Sequence, residues 1–200
     1  MTSFKNIGEK PVKHSFIDLL RRAVFICIVK IGSVAVLFRK IRFYYYTKCW
    51  PGHLGKRVII LRVANKVTIG KEASFYSNIV LEIGENAALS IGKNFTISYG
   101  SVIVCNESVR IGDHVMIGEY TSIRDTSPSY RNDDLPFCKQ TDHSLPIILG
   151  NNIWIGRGCM ILPGTTIGNN VVVAANSVVK GILDADAVYA GSPAIKIKSL

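Results

Sequence analysis

The stretch LGNNIWIGRGCMILPGTTIGNNVVVAANSVVK, residues 149–180, decides the fold. Within it an aliphatic residue returns at every sixth position: Leu149, Ile155, Ile161, Ile167, Val173 and Val179. Four residues after five of these stand Ile153, Cys159, Thr165, Val171 and Ser177, mostly small or β-branched. An amphipathic helix would repeat at about 3.6 residues and a half-buried strand at two. A sustained six is neither. It describes short strands of about one hexad joined by tight corners, three hexads to a triangular coil of about 18 residues. The aliphatic side chains point into the prism.

The same phase returns upstream in blocks. Ile111, Ile117 and Ile123 form one, Ile91, Ile97 and Ile103 another, and Ile69, Phe75 and Leu81 an earlier, looser one. Gly70, Gly92, Asn94, Gly112, Asp113, Gly150, Asn151, Gly168 and Asn169 stand where corners need left-handed backbone. Successive coils pair as parallel ladders. Each inner aliphatic contributes about 1.5–3 kcal/mol when fully buried. The phase lapses conspicuously at RDTSPSYRNDDLPFCKQTDHSLPII, residues 124–148, which is polar and holds three prolines. A long excursion from a solenoid points to function. The end of the chain, GILDADAVYAGSPAIKIKSL, leaves the six-residue phase after Val179. The expected layout is a basic apolar helical segment over 1–57 and a β-helix domain over 58–200, with an excursion loop at 124–146 and a tail at 181–200.

The formal charge of +10 is confined to the first 57 residues, where twelve Lys/Arg face only Glu9 and Asp18. Residues 58–200 carry twelve of each sign, which argues against a nucleic-acid groove there. Residues 16–46 are apolar and basic, with Arg21 and Arg22 before the apolar core, Lys30 within it, and Arg39, Lys40, Arg42 and Tyr44–Tyr46 after it. The core is short for a span of about 20 residues. A helix lying in the interface of an anionic membrane fits this pattern best. Packing on protein and spanning with Lys30 snorkelled are the other readings, and no small-residue cleavage site supports a signal peptide. Five irregularly spaced cysteines form no metal or disulfide framework and fit a reducing compartment.

The string from Gly150 to Val179, with AGSPAIKIK after it, resembles the sugar O-acetyltransferases of the hexapeptide-repeat family. These include the maltose and galactoside enzymes and those that modify capsule, O-antigen and exopolysaccharide. The resemblance spans about residues 65–200 and rests on the WIG, ILPG, ANSVV and GSPA elements. It implies an all-β fold, a left-handed parallel β-helix, the hand coming from the family because parallel crossovers are otherwise right-handed. It further implies a homotrimer with acetyl-coenzyme A between neighbouring prisms, a sugar or oligosaccharide acceptor, and a cytoplasmic location, at the inner face of the membrane if the N-terminal segment binds lipid. Carried over by position, Trp154 and Arg157 would flank the cofactor arm. Ala175 would offer backbone groups to the pantetheine, and Lys180 and Lys198 would lie near the phosphates, since ammonium groups suit phosphate. Ile195 stands where the family often has Lys or Arg, leaving that task to Lys196 or Lys198.

The family reaction is direct transfer, with a histidine taking the proton of the attacking hydroxyl and backbone N–H groups holding the oxyanion. Ungapped alignment puts Pro128 at the histidine position and Ser98 at that of an assisting asparagine. Of the four histidines, His14 and His53 precede the expected prism and His114 reads as a solvated corner. His143, in QTDHSLP, is the expected base, with Asp125 or Asp142 orienting its ring. The alternative role for His143 is that of a plain surface-loop residue. No metal site is expected, because a three-histidine zinc centre on this fold would need more than His114 and His143. Two further functions fit the same residues: a degenerate β-helix that binds without chemistry, and an N-acetyltransferase of an amino-sugar nucleotide, whose amine needs a strong base less.

Overall fold

The structure, a computed structural model, describes residues 33–61, 66–130 and 135–200. Residues 16–32 of the apolar basic stretch, His14 and Cys27 lie outside the described residues. Residues 33–47 are helical, and the chain from Arg39 onward forms one compact unit. The rest of that unit is a left-handed parallel β-helix of about six coils. Its three faces are one eight-stranded and two six-stranded sheets, and neighbouring strands in each come from successive coils. Every pairing between coils is parallel; at the end of the first face the last strand, Ala194–Ser199, folds back antiparallel to Ala187–Gly191.

The six-residue phase marks the interior as expected. Phe75, Leu81, Ile97, Ile103, Ile123 and Ile155 are completely buried. A second inner column stacks small polar groups. The Ser101 hydroxyl donates to Gly118 O and accepts from Thr121 N–H, and Thr121 does the same for Gly156 O and Cys159 N–H. Cys159 then reaches Ala174 O, and Ser177 closes the column by accepting from Gly191 N–H. Each hydroxyl of this column therefore has partners, which removes a penalty of about 1–3 kcal/mol apiece.

The geometry explains why the phase comes in blocks. Two of the three corners keep the spacing of six throughout, as in Ile97 to Ile103 and Ile111 to Ile117. All length variation falls at the corner between the second and third faces. There the inner residues are Leu81 and Ile91, Ile103 and Ile111, Ile123 and Leu149, Ile161 and Ile167, and finally Val179 and Leu183. The excursion is the longest insertion at this one corner. The two regular corners carry columns of left-handed residues. One is Glu72, Asn94, His114, Asn152, Asn170 and Asp186; the other includes Asn78, Gly100, Tyr120, Gly158 and Asn176. His114 is thus a corner residue, with its ring 3.4 Å from the Asn94 amide.

The winding extends beyond both expected ends. His53–Leu54 already pairs with Ser74–Phe75, so His53 belongs to the first coil and does not precede the prism. Past Val179, Ile182–Leu183 and Ala187–Gly191 still stack on the coil below. The phase ends there because the variable corner shortens, while Leu183 and Tyr189 remain inside. At the other end Phe43 plugs the prism, its ring 5.0 Å from Phe75, which in turn lies 5.7 Å from Phe95.

Candidate functional site

The excursion leaves the prism at Asp125 and turns back on itself as a two-stranded antiparallel ribbon, Thr126–Pro128 against Asp142–Ser144. In that register Ser127 faces His143 and Pro128 faces Asp142. Pro128 cannot take a proton, but the ribbon returns a histidine to the strand beside it. The ribbon is anchored at its root: Leu145 N–H donates to Asp125 O at 2.8 Å and Gly164 N–H donates to Leu145 O at 3.1 Å. Pro128, Asp142 and His143 line a cavity of about 500 Å³ with Leu162, Pro163 and Lys180. His143 is exposed to it. Lys180 stands one coil above Leu162, since Ile161 pairs with Val179.

Asp125 is not part of that cavity. It is completely buried, and its carboxylate accepts the backbone N–H groups of Asn106, Glu107 and Ser108 at 2.8, 2.8 and 2.9 Å. All three lie at the variable corner of the coil below. The expectation that Asp125 orients His143 is therefore corrected: its oxygens close a turn. Asp142 is the carboxylate the cavity contains. Next to the Asp125 corner, burial and the nearby carboxylate push the Cys105 thiol up to about 12. Cys49 and Cys159 are also raised, by burial. Among the described residues no group of three or more His, Cys, Asp or Glu could hold a metal ion.

Trp154, Arg157 and Ala175 come together elsewhere, along a groove of about 630 Å³ on the first face and its corner with the second. Trp154 is 55% exposed, an unusual setting for an indole, and Met116 on the strand below is equally open. The groove also holds Ser98 and Glu119. Glu119 was not legible as a lining residue, because its place beside Arg157 depends on coil stacking: its carbonyl accepts from Gly158 N–H at 2.7 Å. An apolar floor with exposed coil backbone and an arginine at the rim suits a pantetheine arm. Lys198 lies in the same outward row as Trp154, reached through Val172 and Val188. Three strand spacings put it about 14 Å along that row. Lys180 does not join this group; it sits with His143.

The two clusters thus occupy different corners of one chain. His143 and Lys180 are at the corner between the second and third faces, while Trp154, Arg157 and Ala175 are at the corner between the first and second.

Comparison with known proteins gives this geometry a context. Residues 146–181 match the family model described as bacterial transferase hexapeptide (six repeats). The galactoside O-acetyltransferase of Escherichia coli K12 is 30% identical over 158 residues, covering 78% of this chain and 75% of that protein. WbbJ of the same strain, provisionally named a lipopolysaccharide biosynthesis O-acetyl transferase, is 32% identical over 58% of this chain and 74% of its own length. Among solved structures, the hexapeptide-repeat containing acetyltransferase VCA0836 of Vibrio cholerae is 28% identical with a TM-score of 0.59, covering 94% of both chains. A second structure of that enzyme, complexed with acetyl-coenzyme A, matches at 26% identity with a TM-score of 0.53, covering 78% of this chain and 73% of the other.

Proposed function

Since the chain belongs to the hexapeptide-repeat acetyltransferases, the family of the galactoside enzyme, we propose that it moves an acetyl group from acetyl-coenzyme A to a sugar hydroxyl. The observation that carries the mechanism is the ribbon register, which sets His143 opposite Ser127, one residue from Pro128, in a cavity at the root of the excursion. His143 accepts the hydroxyl proton as the oxygen attacks the thioester carbonyl. The new C–O bond forms, the C–S bond breaks, and the proton passes on to the departing thiolate. Of the two acids considered for orienting the imidazole, Asp142 is the one that lines the same cavity, and no hydrogen bond joins it to His143 in this structure. Trp154, Arg157 and Ala175 hold the donor arm, with Lys198 toward its phosphates. Lys180, beside His143, is placed to steady negative charge near the reacting centre.

Donor groove and base cavity lie on separate corners, so one copy does not bring them together. A second copy, set with its base corner against the first copy's donor groove, completes the site. This supports a closed ring, a homotrimer, in which each interface holds one site. The acceptor we infer is a sugar of a surface polysaccharide or its precursor, in keeping with the name given to WbbJ. The exposed Ile41, Tyr44, Tyr45 and Tyr46, with Lys40, Arg42 and Lys48 among them, support contact with an anionic membrane surface on the cytoplasmic side. No helix among the described residues is long and apolar enough to cross a membrane.

The test is release of free coenzyme A from acetyl-coenzyme A, with galactosides and lipopolysaccharide core sugars as acceptors. Release that depends on the sugar, and falls at least about 100-fold in His143→Ala, is the expected result. Full turnover in His143→Ala would remove the base assignment. Donor binding without transfer to any sugar would favour the binding-protein reading. Transfer only to amino sugars would favour the N-acetyl one.

A further inference from the structure

A diagonal strip of aromatic rings climbs the prism toward the donor groove. His53 sits in the first coil, on the first face; its ring lies 5.1 Å from that of Tyr76, one coil up and at the start of the corner. Tyr76 lies 5.0 Å from Tyr99, another coil up and one position further round. Tyr120 takes the next step. Its ring lies over Gly100, where an added Cβ would come within 2.5 Å of it. The strip then meets the groove, because Ser98 and Glu119, the chain neighbours of Tyr99 and Tyr120, line it.

These rings are not core. His53 is exposed, and Tyr99 and Tyr120 are 46% and 65% exposed. Nor does the winding require them. The coil positions equivalent to Tyr76 hold Gly118, Gly156 and Ala174, and those equivalent to Tyr120 hold Asn78, Gly158 and Asn176. Tyr120 has φ of +56°, a left-handed conformation that a bulky side chain adopts only against its own preference. Tyr76, the link between His53 and Tyr99, is half-buried. An aromatic run that opens to solvent at His53, Tyr99 and Tyr120 calls for a partner.

We propose that this strip is a platform for an extended saccharide, which leads an acceptor chain into the donor groove. The inference deepens the transferase reading and rests on it for the identity of the acceptor class. Tyrosine offers a sugar both a flat apolar face for its C–H side and a hydroxyl for its polar rim, with few rotatable bonds to immobilise. The strip is one ring wide, and its rings are tilted at 43° and 57° to each other. That shape follows a linear chain. A second copy, which the transferase reading sets against the donor groove above, would need a broad patch of some 800 Å² to cover the strip as well. The site is therefore selective for acceptor length: sugar units beyond the acetylated one gain contacts on Tyr99, Tyr76 and His53.

The experiment is binding of the full-length protein to an array of bacterial surface oligosaccharides of one to eight units, read as apparent Kd. Retention on coenzyme A resin is measured in parallel as a check on folding. The expected result is a Kd that tightens at least tenfold between one and four units. Tyr76→Ala and Tyr99→Ala lose that gain, Tyr76→Trp keeps it, and all three stay on the resin. No binding to any glycan, equal binding at every length, or length-dependent binding untouched by Tyr76→Ala would each overturn the proposal. So would a change in sedimentation mass in Tyr76→Ala, which would make the strip an interface between copies. Platform and transferase readings fail separately: sugar-dependent coenzyme A release with no length effect sinks the platform alone, and length-dependent binding through the tyrosines with no release sinks the transferase alone.

Discussion

At the residue scale, two side chains that a motif search would treat alike have opposite fates. His143 and Asp125 flank the same excursion, yet one faces a cavity and the other is sealed against three N–H groups. Removing one carboxylate oxygen from Asp125 points an amide at donors. Asp125→Asn should therefore destabilise the fold by about 2–3 kcal/mol, seen as a lower urea midpoint. An unchanged midpoint would restore Asp125 to other roles. The thiols follow from burial. Cys105 keeps its proton in the folded state up to about pH 12, whereas in the unfolded chain it ionises near 9. The folded state thus binds the extra proton between those values, and stability falls as pH rises through that window. Cys105→Val should flatten this alkaline decline in the melting temperature. Peptide mapping after a short treatment with a thiol reagent at pH 8 should find Cys138, which is exposed, modified ahead of Cys49, Cys105 and Cys159. Equal labelling of all four would contradict the packing described.

At the element scale, the coil is a hexad clock with one adjustable corner. The inner aliphatics and the two regular corners were readable from sequence because their spacing never varies. The site was less so. Asp125 looked like a partner of His143 because chain proximity was the only measure available, whereas its actual partners belong to the coil below. The diagonal from His53 to Tyr76 to Tyr99 advances by 23 residues a step. That interval means nothing until the length of each corner is known. The outer ladder can be tested directly. Asn170 is left-handed, accepts from Asn152 Nδ2 at 2.9 Å and donates to Asp186 Oδ1 at 2.8 Å. Asn170→Gly keeps the backbone and loses the bonds; Asn170→Val loses both. The valine variant should be the less stable by about 1–2 kcal/mol in chemical denaturation. Equal midpoints would show that corner conformation does not matter there.

At the scale of the whole molecule, the prism separates what the reaction must join. Stacked coils fix the proposed donor groove on one corner, while the variable corner, free to lengthen without disturbing the hexads, carries the ribbon that bears His143, the proposed base. On the proposed reading, association of copies is part of the chemistry, each interface supplying a base from one chain and a groove from the next. The most direct measurement is complementation. His143→Ala and Arg157→Ala chains, each inactive in sugar-dependent coenzyme A release, are mixed by co-expression at equal levels. With one site per interface in a closed ring, random mixing rebuilds roughly one quarter of the sites. The mixed oligomers are expected to recover up to roughly that fraction of wild-type turnover. Mixed oligomers no more active than either parent would contradict it.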